Sequence, residues 1–96
     1  MAFSISNETW VYAVIGNPGA DERLTAFQDE KGLTYIPILN TKKEAELFLG
    51  YMTREPGVRY EVQAIIFEDI LKYAKEHQSQ IYVVNDKGVI QEKGAP

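Results

Sequence analysis

The chain has 96 residues, a formal net charge of −4, 45% hydrophobic and 25% charged residues, and no cysteine. Length and composition indicate one globular domain with a modest core. The acidic balance argues against nucleic-acid binding and against docking on an anionic membrane, because both need clustered Lys and Arg. Without cysteine, disulfides, thiolate catalysis and Cys-based zinc sites are excluded, and a cytosolic location is favoured.

Targeting signals are not expected. The first ten residues lack the basic and apolar regions of a signal peptide, and no apolar run reaches the ~18 residues that a membrane span needs. We therefore expect a single α+β domain over residues 1–96, with residues 1–8 as a loose N-terminal arm.

The first half of the chain predicts three strands. Residues 10–15 (WVYAVI) are apolar on both faces, which is typical of a strand at the centre of its sheet. A loop, 16–22, precedes the second and third strands at 23–28 and 33–39, and the short glycine-containing link between these two strands predicts a hairpin. Because Pro37 has no N–H, the third strand is expected to be an edge, or to be bulged or short there.

The first helix is predicted to begin at Thr41 and to end before Pro56. Thr41 followed three residues later by Glu44 matches a capping box, in which each side chain satisfies a backbone N–H of the first turn. The inward face is predicted from apolar residues at i, i+3, i+4 and i+7: Ala45, Phe48, Leu49 and Met52.

The second half predicts a strand at 60–66, a helix beginning at Phe67, and a closing hairpin between 81–85 and 89–92. The predicted order is therefore β-β-β-α-β-α-β-β. This order indicates an α+β fold, with a mixed, mostly antiparallel sheet of about five to six strands and two helices packed on it.

The sequence offers few residues for chemistry, so no catalytic residue, metal site or cofactor is predicted. His77, the single histidine, is interpreted as a solvated residue near a helix C-terminus. The loop at 16–22 (GNPGADE) is the longest non-periodic stretch, but it has neither G-x-G-x-x-G nor a P-loop pattern. If the protein contacts a small ligand, this loop is the predicted place. Its candidate residues are Asn17, Gly19, Asp21 and Glu22.

On a helical wheel the first helix carries two apolar residues away from its inward face. Leu47 and Tyr51 lie one turn apart, and Tyr73 takes the corresponding position on the second helix. Exposed apolar and aromatic residues often mark interfaces, so these three residues are the candidate interface. The alternative is that neighbouring strands or the arm at residues 3–5 cover them.

The run YIPILNTKKEAELF resembles the segment around the first helix of SseB-like N-terminal domains. The match is best at residues 42–45, whereas residues 39–41 depart from the aromatic turn of that family. The resemblance implies a small α/β fold, and it gives no catalytic residues to carry over, because the biochemical role of that family is poorly defined.

The leading interpretation of the sequence is a non-enzymatic interaction or regulatory module. Its expected partner is another protein or a second copy of the chain. The alternative is a small-molecule-binding or minor enzymatic domain that uses the loop at 16–22.

Overall fold

The computed structural model describes residues 5–94. This part of the chain contains seven strands and two helices in the order β-β-β-β-α-β-α-β-β. Their bounds are β1 Trp10–Gly16, β2 Arg23–Leu24, β3 Phe27–Gln28, β4 Thr34–Ile38, α1 Lys42–Tyr51, β5 Tyr60–Ile66, α2 Phe67–Glu76, β6 Gln80–Val84 and β7 Ile90–Gly94.

The strands form two hydrogen-bonded sheets. The first has the order β2-β1-β5, and the second has the order β3-β4-β6-β7. All neighbouring strands are antiparallel except β4 and β6, which run parallel. The predicted α+β fold with mixed, mostly antiparallel pairing is therefore confirmed. The prediction of one sheet of five to six strands is wrong.

The two sheets meet at Tyr12 of β1 and Leu39, just after β4. Each donates its backbone N–H to the carbonyl of the other at 2.9 Å. Continued by two residues, this antiparallel pairing would bring Val14 opposite Pro37, which has no N–H to donate. The Val14 carbonyl instead accepts the N–H of Thr25 at 2.9 Å. Pro37 thus marks the point where β1 and β4 separate, and we call this separation the fork.

The segment 23–28 fills the fork, and it forms two short strands where the sequence predicts one. β2 pairs with β1 through Arg23 and Leu24, and β3 pairs with β4 through Phe27 and Gln28. The chain therefore passes from one sheet to the other between β2 and β3. This passage is why the predicted single strand is interrupted.

β4 lies between β3 and β6, so of the alternatives predicted from Pro37 the edge strand is wrong, although β3 pairs with β4 only at Thr34 and Tyr35. Backbone groups of a strand point to alternate edges. Because Leu39 turns its N–H towards β1, Pro37 turns the same way, into the fork, and Ile38 turns towards β6. Pro37 therefore breaks no pairing with β6, and this explains how a buried interior strand accommodates a proline.

The helices cover opposite faces of the strands. Val11 and Ala13 of β1 pack in a core that includes Phe67 and Ile70 of α2, which we call the α2 core. Val14 points the other way, into the α1 core. The residues that α1 contributes to that core are the buried Ala45, Phe48 and Met52 and the half-buried Leu49, so the predicted inward face of α1 is confirmed.

Helix α1 has the N-cap that the sequence predicts. The N–H of Glu44 donates to Oγ1 of Thr41 at 3.1 Å. The Thr41 hydroxyl in turn donates to Oε1 of Glu44 at 3.1 Å. The Glu44 carboxylate thus receives the hydroxyl rather than the backbone N–H of the usual capping box. At the other end, the Arg54 guanidinium donates to the Leu49 carbonyl at 2.8 Å, which satisfies one carbonyl of the last turn.

Helix α2 follows β5 directly and is capped by backbone carbonyls. The N–H of Phe67 donates to the Thr9 carbonyl at 2.8 Å, and the N–H of Glu68 donates to the Asn7 carbonyl at 3.0 Å. These bonds satisfy two N–H groups that a helix start leaves free. Of the predicted arm at 1–8, the first four residues lie outside the described part of the chain.

Candidate functional site

The outer side of α1 carries the two apolar residues that the sequence singles out. Leu47 is 51% exposed and Tyr51 is 66% exposed. They lie one turn apart on the same helix, which makes their side chains neighbours. Of the arm considered as a cover, Phe3 and Ser4 lie outside the described residues, and Ile5 packs against the α2 core. We call Leu47 and Tyr51 the α1 outer pair.

A groove of about 200 Å³ opens beside Tyr51 and leads from α1 to the second sheet. Its walls are mostly apolar or aromatic. The exposed apolar surface of the α1 outer pair is therefore continuous with a concave apolar surface. The other residues that line this aromatic groove are Phe27, Tyr35, Phe48, Met52, Thr53, Lys87 and Gly88.

Four aromatic rings continue from this groove across the second sheet. Phe48 meets Phe27 edge-on, with ring centroids 6.3 Å apart, and Phe27 lies 6.2 Å from Tyr35. Tyr35 stacks on Tyr82 at 4.5 Å. The ammonium of Lys93 lies 5.3 Å from the centroid of Tyr82, within the range of a cation–π contact. These contacts fix α1, β3, β4, β6 and β7 relative to one another.

A hydrogen bond between Tyr82 and Asp29 fixes the far end of this row of rings. The Tyr82 hydroxyl donates to Oδ2 of Asp29 at 2.7 Å. Oδ1 of Asp29 accepts the N–H groups of Lys31 at 2.9 Å and Leu33 at 3.0 Å. The hydrogen bond to Asp29, followed by burial and by the charge of Asp29, raises the pKa of Tyr82 to about 12. The same bond lowers the pKa of Asp29.

Gly88 closes one wall of the aromatic groove, and its replacement gives a test of that wall. Gly88 has a φ of +78°, and a Cβ there would lie 3.1 Å from Cε1 of Phe48. We expect Gly88→Ala to lower the free energy of unfolding by about 2–3 kcal/mol. The cost of a positive φ for alanine and the cost of the close contact with the Phe48 ring add to each other. Urea denaturation measures the loss.

Gly57→Ala is the matched control for this prediction. Gly57 has a φ of +82°, but a Cβ there would meet nothing within 4 Å. The expected loss for Gly57→Ala is therefore only about 1 kcal/mol, from the backbone conformation alone. Equal losses for the two variants would contradict the close approach of Gly88 to Phe48.

Tyr73, the third residue of the predicted interface, is half-buried on the other helix. Its hydroxyl accepts the N–H of Leu24 at 3.2 Å, and its ring stacks on His77 with centroids 3.9 Å apart. It packs against the α2 core, whereas α1 contributes to the α1 core. The structure thus does not bring Tyr73 together with Leu47 and Tyr51.

The predicted ligand loop forms a tight turn at the surface. Asn17 and Asp21 have φ values of 55° and 59°, and Gly19 has a φ of 83°. Asn and Asp adopt this left-handed region more readily than other side chains, since they bond locally to the backbone. Glu22 borders a shallow groove towards α2. The strand residues that flank the loop line a larger cavity.

This larger cavity has a volume of about 340 Å³ and lies where the fork opens towards the C-terminal end of α2. Arg23 and Thr25 belong to the segment that fills the fork. The Oγ1 atom of Thr25 is buried and has no hydrogen-bond partner among the described residues. We call this space the polar cavity. The rest of its lining is Gly16, Leu24, Ala26, Thr34, Glu55, Tyr60, Tyr73, His77 and Ser79.

Comparison of the chain with models of known protein families, with curated proteins and with solved structures finds no match. The resemblance to SseB-like N-terminal domains therefore stays a prediction. Across residues 5–94, no three side chains among His, Asp and Glu lie close enough together to hold a metal ion. In the same range, no helix is long and apolar enough to cross a membrane.

The polar cavity is not predictable from the sequence. Arg23, Tyr60 and His77 lie in three separate segments, and only the packing of α2 and β5 around the fork brings them together. A partial signal was present, because Arg23 directly follows the predicted ligand loop. No spacing rule connects that arginine to a tyrosine in β5 or to a histidine after α2.

Proposed function

We propose that the protein is a non-enzymatic interaction module that self-associates through the α1 outer pair and the aromatic groove. The observation that carries this proposal is the exposure of Leu47 and Tyr51, 51% and 66%, on one side of one helix beside an open aromatic groove. Aromatic residues are enriched in protein–protein interfaces, and buried tyrosines are frequent hot spots there.

A two-fold arrangement suits such a surface, because each copy offers both a protruding ring and a groove. In an isologous dimer, Tyr51 of each copy would enter the groove of the other. An interface of standard size buries roughly 800 Å² on each partner, so it would extend past the pair onto the second sheet. Val89, which is 56% exposed, offers apolar surface in that direction. Lys42 and Glu46, 3.9 Å apart, supply charges of both signs at the rim.

The test is the double variant Leu47→Ser with Tyr51→Ser. We expect the wild-type protein to sediment as a dimer at about 100 μM. Four apolar side chains per dimer are lost in the variant, so its dissociation constant should rise by about a hundredfold or more. Analytical ultracentrifugation over a concentration series measures both constants, and thermal melting checks that the fold is retained.

The matched control is Leu33→Ser with Trp10→Ser. These residues are 47% and 61% exposed, so the control also removes one exposed leucine and one exposed aromatic ring. It should dimerise like the wild type. A wild-type protein that stays monomeric at 1 mM, or a control that dissociates as readily as the test variant, would refute self-association through α1.

The same proposal places the protein in the cytosol. The absence of cysteine supports that location, because small secreted domains are commonly held together by disulfides. The net charge of −4 supports a protein partner rather than a nucleic acid or an anionic membrane, since both of those attract basic surfaces.

A further inference from the structure

The polar cavity presents hydrogen-bond donors that nothing in the described part of the chain uses. The phenol oxygen of Tyr60 accepts the N–H of Glu55 at 3.0 Å, and that of Tyr73 accepts the N–H of Leu24 at 3.2 Å. Each oxygen therefore already serves as an acceptor, while its own hydrogen has no acceptor among the described residues. Two phenol O–H groups remain to donate to a ligand.

Arg23 adds a cation to the same wall. Its side chain lies across Gly16, where a Cβ would be 3.7 Å from Cγ and 3.8 Å from Nε of the arginine. No carboxylate within residues 5–94 forms an ion pair with it. A guanidinium has five N–H donors and no acceptor, and it binds planar carboxylates through paired hydrogen bonds.

His77 and Tyr73 form an aromatic wall beside these donors. Their rings stack at 3.9 Å with an angle of 14° between their planes. Nδ1 of His77 lies 2.9 Å from the Tyr73 carbonyl. Because a carbonyl can only accept, Nδ1 carries the hydrogen of that bond. A flat, partly apolar ligand would find both a stacking surface and donors in this space.

We propose that the polar cavity binds a small planar molecule that carries a carboxylate. Its carboxylate lies against Arg23 and the hydroxyls of Tyr60 and Tyr73, and its apolar body lies against the Tyr73–His77 stack. The volume of about 340 Å³ falls within the usual range for small-molecule sites. This site is separate from the α1 outer pair, and it adds a ligand to the proposed interaction function.

Glu55 sets a limit on the ligand. Glu55 is one of the residues that line the same cavity, and its carboxylate has no ion-pair partner in the described residues. A second carboxylate on the ligand would be repelled by Glu55, whereas one carboxylate at the Arg23 end would be attracted. The site therefore favours monocarboxylates over dicarboxylates.

The experiment is a titration of ¹⁵N-labelled protein with sodium benzoate at constant ionic strength, followed by ¹H–¹⁵N correlation spectra. We expect saturable shifts at the amides of Leu24 and Glu55, because these amides donate to the two phenols. For a ligand of this size the dissociation constant should be on the order of 1 mM. Benzamide has the same shape without the charge, and it should bind about tenfold more weakly.

Two variants locate the carboxylate. Arg23→Gln removes the exposed guanidinium and should weaken benzoate about tenfold while leaving benzamide unchanged. Arg59→Gln removes an exposed cation that does not line the cavity, and it should leave both affinities unchanged. Equal affinities for benzoate and benzamide would overturn the proposal. So would an Arg23→Gln variant with wild-type affinity, or shifts centred on Leu47 and Tyr51.

Discussion

Replacing Phe67 by alanine is expected to lower the free energy of unfolding by about 3–5 kcal/mol. Phe67 is 2% exposed and packs in the α2 core. It is also the first residue of α2, directly after β5, so its ring joins the helix to the strands. Since small domains are stable by only about 5–15 kcal/mol, the variant would lose a substantial share of its stability.

Phe27→Ala is the control for that result. Phe27 is half-buried and lies in the row of rings beside the aromatic groove. Its removal should cost roughly half as much as that of Phe67, because part of its surface is already in water. Urea denaturation measures both variants against the wild type. A loss for Phe27→Ala as large as that for Phe67→Ala would contradict the position of Phe67 as a central core residue.

The second large effect is the alkaline titration of Tyr82, whose pKa is raised to about 12 by the hydrogen bond to Asp29, by burial and by the charge of Asp29. In the unfolded chain a tyrosine loses its proton near pH 10. Between about pH 10 and 12 the unfolded state therefore releases a proton that the folded state keeps. By linkage, this contribution to stability is complete below pH 10 and is lost as the pH rises through 12.

Absorbance at 295 nm, which follows tyrosinate, measures this titration. The wild type should show one component with a midpoint near 12, and Tyr82→Phe should lack it. Tyr51→Phe, which removes the hydroxyl of an exposed tyrosine, should keep it. Thermal melts of the wild type should show a falling midpoint from pH 10 to 12, with a smaller fall in Tyr82→Phe. A component near 12 that survives Tyr82→Phe would contradict the assignment.

At acid pH the same hydrogen bond makes the stability of the fold rise with pH instead of fall. The Tyr82 hydroxyl, followed by the backbone N–H groups of Leu33 and Lys31, lowers the pKa of Asp29. A carboxylate with a depressed pKa stabilises the fold above the pKa of the unfolded chain, near 4, and this stability is lost as the pH falls through the folded value. The Asp29–Tyr82 hydrogen bond therefore contributes its full stabilisation of the fold at neutral pH, between the carboxyl pKa of the unfolded chain, near 4, and about pH 10.

The helices could be predicted well from the sequence because their signals are local. The N-cap at Thr41 and the inward face of α1 need information from only a dozen neighbouring residues, and both are present in the structure. β5 also has its predicted bounds, 60–66. The split of segment 23–28 into β2 and β3 could not be predicted, because it depends on a hydrogen bond between Thr25 and Val14.

The candidate sites also differ in whether they depend on local signals or on contacts between residues that are distant in sequence. A helical wheel predicts which side of α1 faces away from its core, and Leu47 and Tyr51 lie exposed there. The wheel gives Tyr73 the same position on α2, yet the N–H of Leu24 donates to its hydroxyl and Tyr73 is only half-exposed. Wheels describe one helix, and the segment that covers Tyr73 is distant in sequence.

Pro37 favours the separation of β1 and β4 at the fork, and a residue with a backbone N–H at this position would weaken that separation. An amide at position 37 would face the Val14 carbonyl and compete with the N–H of Thr25 for it. β1 and β4 could then pair further along their length, and the segment that carries Arg23 into the polar cavity would lose its place between them. The missing N–H of Pro37 thus favours the separation of the two sheets at the end that carries the polar cavity.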